Sequence, residues 1–137
     1  MRPFAFQQKV LFRHCDPAGI VFYPRYFEII NDCVEAFFEA LGDPFEAMHA
    51  AGRAVPTARI ETEFRRPSRH GDRLTLELAC RRLGRTSLDL AIEGAAGEER
   101  RFTARSTLVH VGRSMRPEPW PPALREALAD RLDQEDR

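Results

Sequence analysis

The sequence predicts an α+β domain in which five antiparallel strands curl around one long central helix. Residues 25–42, RYFEIINDCVEAFFEALG, place apolar side chains at helical spacing, whereas the segments on either side alternate apolar and polar residues at strand spacing. The last three strand-like segments are joined by short turns, which favours antiparallel pairing. A helix this apolar needs cover on several sides, and a curled sheet supplies it.

The first predicted strand covers residues 4–13, FAFQQKVLFR. Phe4, Phe6, Val10 and Phe12 fall on one face at a period of two residues, with Gln8 interrupting them. We therefore expect the apolar face of this strand to continue as far as Phe12.

The long helix is the most strongly patterned element of the chain. Its predicted apolar side contains Tyr26, Ile30, Cys33, Phe37 and Leu41, widened by Phe27, Val34 and Phe38. Acidic residues line the opposite side, as expected of an amphipathic helix. Pro24 suits the first turn, and Gly42 suits the position just past the end. Residues 44–52 indicate a second short helix or a loop.

Four further strands are predicted in the second half of the chain. The alternating segments are ARIETEF (58–64), RLTLELACRRL (73–83), SLDLAIEG (87–94) and RFTARSTLVHV (101–111). Turn signals lie at 66–68, 70–72, 83–85 and 94–97. PEPWPP at 117–122 breaks the strand pattern, and a short helix with Leu124, Leu128 and Leu132 on one stripe follows. No linker interrupts the sequence, so we expect a single domain over residues 1–137.

Composition and charge exclude several classes of function. Lys+Arg and Asp+Glu both number 21 in the 137 residues, so the chain lacks the basic excess typical of a duplex-binding protein. No apolar run reaches the roughly 18 residues that a membrane span needs, and the N-terminus lacks the features of a signal peptide. The three cysteines form no CxxC pair, which indicates a reducing compartment. We expect a cytoplasmic protein that binds neither nucleic acid nor membrane.

The segment HCDPAGIVFYP, residues 14–24, places a lone carboxylate, Asp16, in an apolar turn that leads into the long helix. Gly19 lets the backbone pass close to a ligand, and the apolar residues 20–22 exclude water. Backbone N–H groups at a helix start have no partner inside the helix, and the helix dipole favours negative charge there. A carboxylate and an oxyanion-binding N–H are the minimum equipment for acyl transfer. The alternative is that Asp16 merely starts a turn.

Residues 14–27, HCDPAGIVFYPRYF, resemble the signature of the 4-hydroxybenzoyl-CoA thioesterase family of hotdog-fold proteins, Asp-Pro-x-Gly-x-Val-aromatic-Tyr-Pro-x-Tyr. The resemblance implies a hotdog fold, in which a curled antiparallel sheet surrounds a long helix. It also implies an acyl-CoA thioesterase that acts on an aromatic or short acyl group. The order of elements predicted above agrees with that fold.

The resemblance implies roles for residues of this segment. Asp16 stands at the position of the family's catalytic carboxylate, which acts as a nucleophile or as the base that activates water. Tyr23 stands where the family uses a backbone N–H to polarise the thioester oxygen. Phe22 and Tyr26 lie close by in the sequence and would suit a flat aromatic acyl group, although aromatic residues are also ordinary core residues.

Residues 83–87, LGRTS, are similar to the segment with which the family contacts CoA. The resemblance implies that Arg85 binds a CoA phosphate, with Thr86 and Ser87 nearby; the alternative is a hydrated arginine in a hairpin. Active sites of the family lie at a dimer interface, so Arg85 could act across it on Asp16 of the partner subunit. We therefore expect a homodimer or a homotetramer.

Thioester hydrolysis of this kind needs no metal or redox cofactor, and CoA enters only as part of the substrate. His14, Cys15 and Asp16 are neighbours that point alternately to opposite faces of an extended chain, so they do not form a metal site. The other histidines are expected on the surface or in strands: His49, His70 and His110.

Two other functions remain open at this stage. The first is a non-catalytic acyl-CoA or acyl-carrier binding module on the same fold, which would keep its affinity without Asp16. The second is a hotdog dehydratase or isomerase, which would need a histidine-centred site, and His14 is the one candidate for it.

Overall fold

A five-stranded antiparallel sheet curls around an 18-residue helix in the computed structural model, which describes residues 3–133. The strands are β1 (Phe4–Lys9), β2 (Thr57–Phe64), β3 (Arg73–Leu83), β4 (Ser87–Ala96) and β5 (Glu99–Val109). The helices are α1 (Tyr23–Ala40), α2 (Phe45–Ala50) and α3 (Pro122–Ala129). The strand order in the sheet is β1-β3-β4-β5-β2. The predicted α+β architecture is confirmed.

The apolar side of α1 forms the centre of the core. Its buried residues are Tyr26, Ile29, Ile30, Cys33, Val34, Phe37 and Phe38. Pro24 lies in the first turn, and Gly42 follows the helix with φ +88°, a left-handed conformation that suits glycine. Burial raises the pKa of the Cys33 thiol to about 12, so this cysteine is an inert core residue.

The three central strands turn alternate residues toward α1. The residues that the sheet buries are Leu74, Leu76, Leu78, Cys80, Leu88, Leu90, Ile92, Phe102, Ala104, Ser106 and Leu108. This alternation was predicted for β3 and β4, and in β5 the inward face carries Phe102, Ala104, Ser106 and Leu108. Leu124 and Leu128 of α3 are also buried, as predicted, whereas α3 ends at Ala129, so Leu132 of the predicted stripe lies beyond the helix.

The predicted extension of the first strand to Phe12 is wrong. β1 ends at Lys9, and residues 12–14 form a 3-10 turn in which the Leu11 N–H donates to Nδ1 of His14 at 2.9 Å. Phe12 is therefore turned outward and is 81% exposed. The cause is the hydrogen bond from the Leu11 N–H to the His14 side chain, which caps the turn. The two-residue period of apolar side chains gives no sign of this bond.

The predicted turn at residues 94–97 is shorter than expected, because β4 continues through Gly94 to Ala96. Gly94 is paired with Phe102 of β5, and the Phe102 ring occupies the space where a side chain on Gly94 would lie. This glycine makes room for an aromatic ring, and the turn itself is formed by Gly97, with φ +60°, and Glu98.

His110, expected at the surface or in a strand, is buried just beyond β5 at 2% exposure. Its Nδ1–H donates to the Glu118 carbonyl at 3.0 Å, and its Nε2 accepts from Arg53 Nη1 at 3.2 Å. Its ring also packs on Trp120, with centroids 5.1 Å apart. The PEPWPP segment thus closes one end of the core.

Strand β2 is the open edge of the sheet. It pairs with β5 alone, and seven of its eight residues are exposed, including Ile60 and Phe64. An exposed edge with apolar side chains is a surface that a second chain can cover.

The domain prediction for residues 1–137 includes residues 1–2 and 134–137, which lie outside the described residues. Within residues 3–133, no helix is long and apolar enough to cross a membrane.

Candidate active site

A small hairpin over residues 15–21 carries Asp16. The Asp16 N–H donates to the Ile20 carbonyl at 2.9 Å, and the Gly19 N–H donates to the Asp16 carbonyl at 2.9 Å. Gly19 turns the chain with φ +83°, which a side chain would strain. The chain doubles back in this way and enters α1 seven residues after Asp16.

The Asp16 carboxylate is half-buried and held by one of its two oxygens. Its Oδ1 accepts a hydrogen bond from the Ala18 N–H at 2.9 Å, which forms an Asx turn. Within residues 3–133, no donor is bonded to Oδ2. Asp16 therefore does form a turn, as the alternative interpretation of the sequence held. Its Oδ2 is left without a donor among the described residues and is available for chemistry.

Tyr23 is the first residue of α1 and follows Phe22, whose backbone is extended with φ −71° and ψ 124°. No carbonyl or side chain in the described part of the chain accepts a hydrogen bond from the Tyr23 N–H, as is usual in a first helical turn. The helix dipole adds positive potential at this point. The Tyr23 N–H is therefore a donor available to a developing oxyanion, whereas its phenol ring is 60% exposed.

Aromatic rings surround the start of α1. The Phe22 and Tyr23 ring centroids are 5.5 Å apart, and Tyr23 lies 6.4 Å from Phe64 of β2. Tyr26 is buried at 4% exposure between Phe64 and Phe102. Phe22 and Tyr23 are thus exposed at the start of α1, whereas Tyr26 is a core residue that shares Phe64 as a neighbour with Tyr23.

An apolar cleft of about 580 Å³ runs between α1 and β2. Its walls include Phe27 and Ile30 of α1, Met48 of α2, and Ile60 of β2. Phe27 is one helical turn beyond Tyr23, so the cleft leads away from the candidate oxyanion donor. Its volume is in the range of small-molecule sites.

The turn between β3 and β4 lies at the opposite end of the sheet from Asp16. β3 begins beside the Asp16 hairpin and has 11 residues, so it spans about 30 Å at the usual rise of a strand. The turn is held by a hydrogen bond from Arg125 of α3 to the Gly84 carbonyl at 3.0 Å. Within one chain, therefore, the structure separates Asp16 from three predicted ligands of CoA: Arg85, Thr86 and Ser87.

Comparison with protein families gives a match over residues 10–128 to the family model described as the thioesterase-like superfamily. The match covers most of the chain. The chain belongs to the thioesterase-like superfamily. The hotdog fold implied by the resemblance is thereby confirmed, whereas the narrower 4-hydroxybenzoyl-CoA thioesterase family is not confirmed and stays a prediction.

Relatives of this superfamily member include enzymes named for aromatic CoA thioesters. A 1,4-dihydroxy-2-naphthoyl-CoA hydrolase of Synechococcus elongatus is 32% identical over 87 residues, or 62% of this chain and 64% of the relative. The chain therefore matches less than two thirds of that relative's length.

Two solved structures share the fold of this superfamily member. A 1,4-dihydroxy-2-naphthoyl-CoA thioesterase from Synechocystis superposes with a TM-score of 0.86 at 19% identity, covering 93% of this chain and 96% of that one. The BH1999 gentisyl-coenzyme A thioesterase superposes with a TM-score of 0.84 at 23% sequence identity. The superposition covers 92% of this chain and 99% of that one.

His14 does not have the character of a catalytic base in this thioesterase-like chain. The imidazole is 1% exposed, and its Nδ1 accepts from the Leu11 N–H. Burial, helped by the charge of Arg13, lowers its pKa and keeps it neutral. In residues 3–133 no group of three His, Cys, Asp or Glu side chains is arranged to hold a metal ion.

A turn over residues 67–72, here called the anchor turn, supports the hairpin, a role that the sequence did not indicate. Arg101 of β5, 12% exposed, donates from Nη1 to Asp72 Oδ2 at 2.7 Å. The same nitrogen lies 3.1 Å from Ser68 Oγ and 3.2 Å from the Pro67 carbonyl. No sequence signal connects Arg101 to Asp72, because the two residues are 29 positions apart.

Acid should weaken the anchor turn. The hydrogen bonds from Arg101 and from the Arg69 N–H hold the pKa of the Asp72 carboxyl below its usual 3.8. Ionised Asp72 therefore stabilises the fold fully above about pH 4, and this contribution is lost as pH falls from 3.8 through the lower pKa of the folded state. We expect the difference in unfolding free energy between the parent and Asp72→Asn to shrink over that interval in urea titrations. A difference that stays constant down to pH 2.5 would contradict it.

Proposed function

We propose that this protein is an acyl-CoA thioesterase that hydrolyses aromatic, 4-hydroxybenzoyl-like or benzoyl-like, or short acyl-CoA thioesters to the free acid and CoA. One observation carries the proposal: an oriented carboxylate oxygen of Asp16 and the unpaired N–H of Tyr23 lie on one hairpin-helix junction, and Phe27, one helical turn further along α1, lines an apolar cleft. Membership of the superfamily and the names of the relatives support it.

The chemistry follows from these two groups. The Asp16 carboxylate attacks the thioester carbonyl, or takes a proton from a water molecule that attacks it. The carbonyl oxygen gains negative charge, which the Tyr23 N–H and the helix dipole stabilise. Collapse of the tetrahedral intermediate breaks the C–S bond and releases CoA thiolate. In the nucleophilic route, water then hydrolyses the acyl-aspartyl anhydride. Neither route calls for a metal or redox cofactor.

The cleft supports a flat, apolar acyl group. Its volume of about 580 Å³ holds a one-ring or two-ring aryl group together with part of the CoA arm. The exposed rings of Phe22 and Tyr23, at the start of α1, can stack on such a ring. These features favour aryl over long aliphatic substrates.

A homodimer explains how Arg85 could serve Asp16. A two-fold axis could pair β2 with β2 of the partner subunit in antiparallel orientation. The strands of the partner's sheet would then run in the opposite direction, so the two ends of its sheet would be exchanged. The 83–87 turn of one chain would then lie at the same end as Asp16 of the partner subunit. Arg85, exposed and placed on a hairpin, could there bind a CoA phosphate beside Thr86 and Ser87. A homotetramer would arise from two such dimers.

Subunit complementation tests this arrangement. Arg85→Ala should raise KM about tenfold through loss of a charge-assisted contact, and Asp16→Asn should abolish most turnover. Mixing the two variants under conditions of subunit exchange creates a heterodimer with one site that contains both native residues. Recovery of parental KM at a fraction of the parental activity supports Arg85 acting across the interface. Absence of recovery in verified heterodimers contradicts it.

The function itself is tested by thiol release from a panel of CoA thioesters. The panel contains benzoyl, 4-hydroxybenzoyl, phenylacetyl, gentisyl, 1,4-dihydroxy-2-naphthoyl, and short and long aliphatic groups. We expect release from the aryl or short acyl members that disappears with Asp16→Asn. Binding of these thioesters to the parent and to Asp16→Asn without any release would instead favour the binding-module alternative.

The three free cysteines, of which Cys33 and Cys80 are buried, support the proposal of a cytoplasmic, reducing environment. The dehydratase alternative lacks support, because the one histidine of the motif is buried and neutral.

A further inference from the structure

The position of the Asp16 hairpin depends on the anchor turn. The Val21 N–H donates to the Ser68 carbonyl at 2.8 Å, and Ile20 forms an antiparallel bridge with Arg69. Val21 lies two residues before Tyr23 and five after Asp16. A shift of Val21 would therefore change the separation between the Asp16 carboxylate and the Tyr23 N–H.

The Arg101 guanidinium supplies the side-chain donor that holds the anchor turn, in addition to backbone bonds from the Val10 N–H to the Asp72 carbonyl at 2.7 Å and from the Gly71 N–H to the Val10 carbonyl at 2.9 Å. Arg101 Nη1 reaches Asp72 Oδ2, Ser68 Oγ and the Pro67 carbonyl, as described above, and Asp72 Oδ2 also accepts from the Arg69 N–H at 2.9 Å. Ser68 is fully buried. Because these contacts bring together both ends of the turn, loss of the guanidinium leaves the turn without its central donor.

We propose that Arg101 and Asp72 are positioning residues for catalysis, acting through Ser68 and Val21 on the geometry of Asp16 and Tyr23. This inference rests on the proposed function. Neither side chain needs to touch the substrate, since the effect passes through the backbone bond between Ser68 and Val21. A displacement of about 1 Å between reacting groups can cost about 10²-fold in rate.

The decisive experiment measures kcat and KM separately in Arg101→Gln. We expect kcat to fall about 10²-fold with KM near the parental value, because substrate binding surfaces stay in place while reacting groups move. Arg101→Lys keeps the charge beside Asp72 but loses the planar fork, so it should recover part of kcat. A contact that only stabilises the fold would lower the unfolding midpoint and leave kcat at 25 °C unchanged, and that result overturns the proposal.

Glu99→Gln is the matched control. Glu99 Oε1 lies 2.7 Å from Nε of the same guanidinium, but it is more exposed and is not part of the anchor turn. Its replacement should leave kcat at the parental level. An equal loss of kcat in Glu99→Gln and Arg101→Gln would show that the charge balance of Arg101, and not its hold on the turn, matters.

Amide hydrogen exchange at Val21 gives a readout that does not depend on activity. We expect exchange at Val21 to be at least about tenfold faster in folded Arg101→Gln and in Asp72→Asn than in the parent. Unchanged exchange in both overturns the inference even if the parent is a thioesterase. If the parent protein hydrolyses no thioester, the proposed function is wrong. Amide exchange at Val21 still tests whether Arg101 controls the position of the hairpin. If Arg101→Gln does not fold, Asp72→Asn and Arg101→Lys supply the same measurements.

Discussion

Asp16→Asn should lower kcat by about 10³-fold on the best thioester substrate, in the range expected for removal of a nucleophile or general base. The asparagine Oδ1 can still accept the hydrogen bond from the Ala18 N–H, so the Asx turn and the hairpin should persist. The loss would therefore report the missing negative charge and not a collapsed loop. Steady-state kinetics by thiol release, with circular dichroism on the same samples, makes the measurement.

The control for this substitution is Asp32→Asn. Asp32 is an exposed aspartate on the outer side of α1, well beyond the first turn. It should hydrolyse thioesters at the parental rate. A folded Asp16→Asn protein with parental kcat would remove Asp16 from the mechanism.

Tyr23→Pro should lower kcat by about 10²- to 10³-fold, the usual cost of removing one oxyanion donor. Proline lacks the N–H but is favoured at the first position of a helix. Phe22 already has an extended backbone with ψ 124°, which is the conformation required before proline. The substitution therefore deletes the proposed donor while preserving the start of α1.

Tyr23→Ala and Tyr23→Phe are the matched controls, because both keep the N–H. They should retain kcat within about tenfold and show any effect of the lost ring or phenol mainly in KM. If Tyr23→Ala is as inactive as Tyr23→Pro, the side chain and not the backbone donor carries the effect.

The elements with strong local patterns were predictable from the sequence. The helical spacing of apolar residues between Pro24 and Gly42 predicts α1. The strict alternation of apolar and polar residues predicts β3 and β4. The link between Asp16 and Tyr23 was also accessible, since both belong to one short segment whose turn and helix start are encoded locally. The resemblance supplied the roles proposed for these residues and the expected fold.

Features that depend on contacts between distant residues could not be predicted. Arg101 and Asp72 form their ion pair only after β5 and the anchor turn are brought together. His110 is buried because Arg53 and the segment around Trp120 cover it. Gly94 looked like a turn residue because the partner that requires a glycine, Phe102, lies across the sheet. In each case the deciding neighbour is absent from the local sequence.

The place of β2 at the edge of the sheet has a consequence for synthesis of the chain. β2 pairs with β5 alone. Glu61 of β2 can pair only after Arg105 of β5, which lies 44 residues later in the chain, has been synthesised. Until residues 99–109 leave the ribosome, β2 exposes two unpaired edges, the condition in which strands associate with other chains. A chain truncated before Glu99 should therefore aggregate even though α1, β1, β3 and β4 are complete. The last strand made is the one that allows both the sheet and its proposed pairing surface to form.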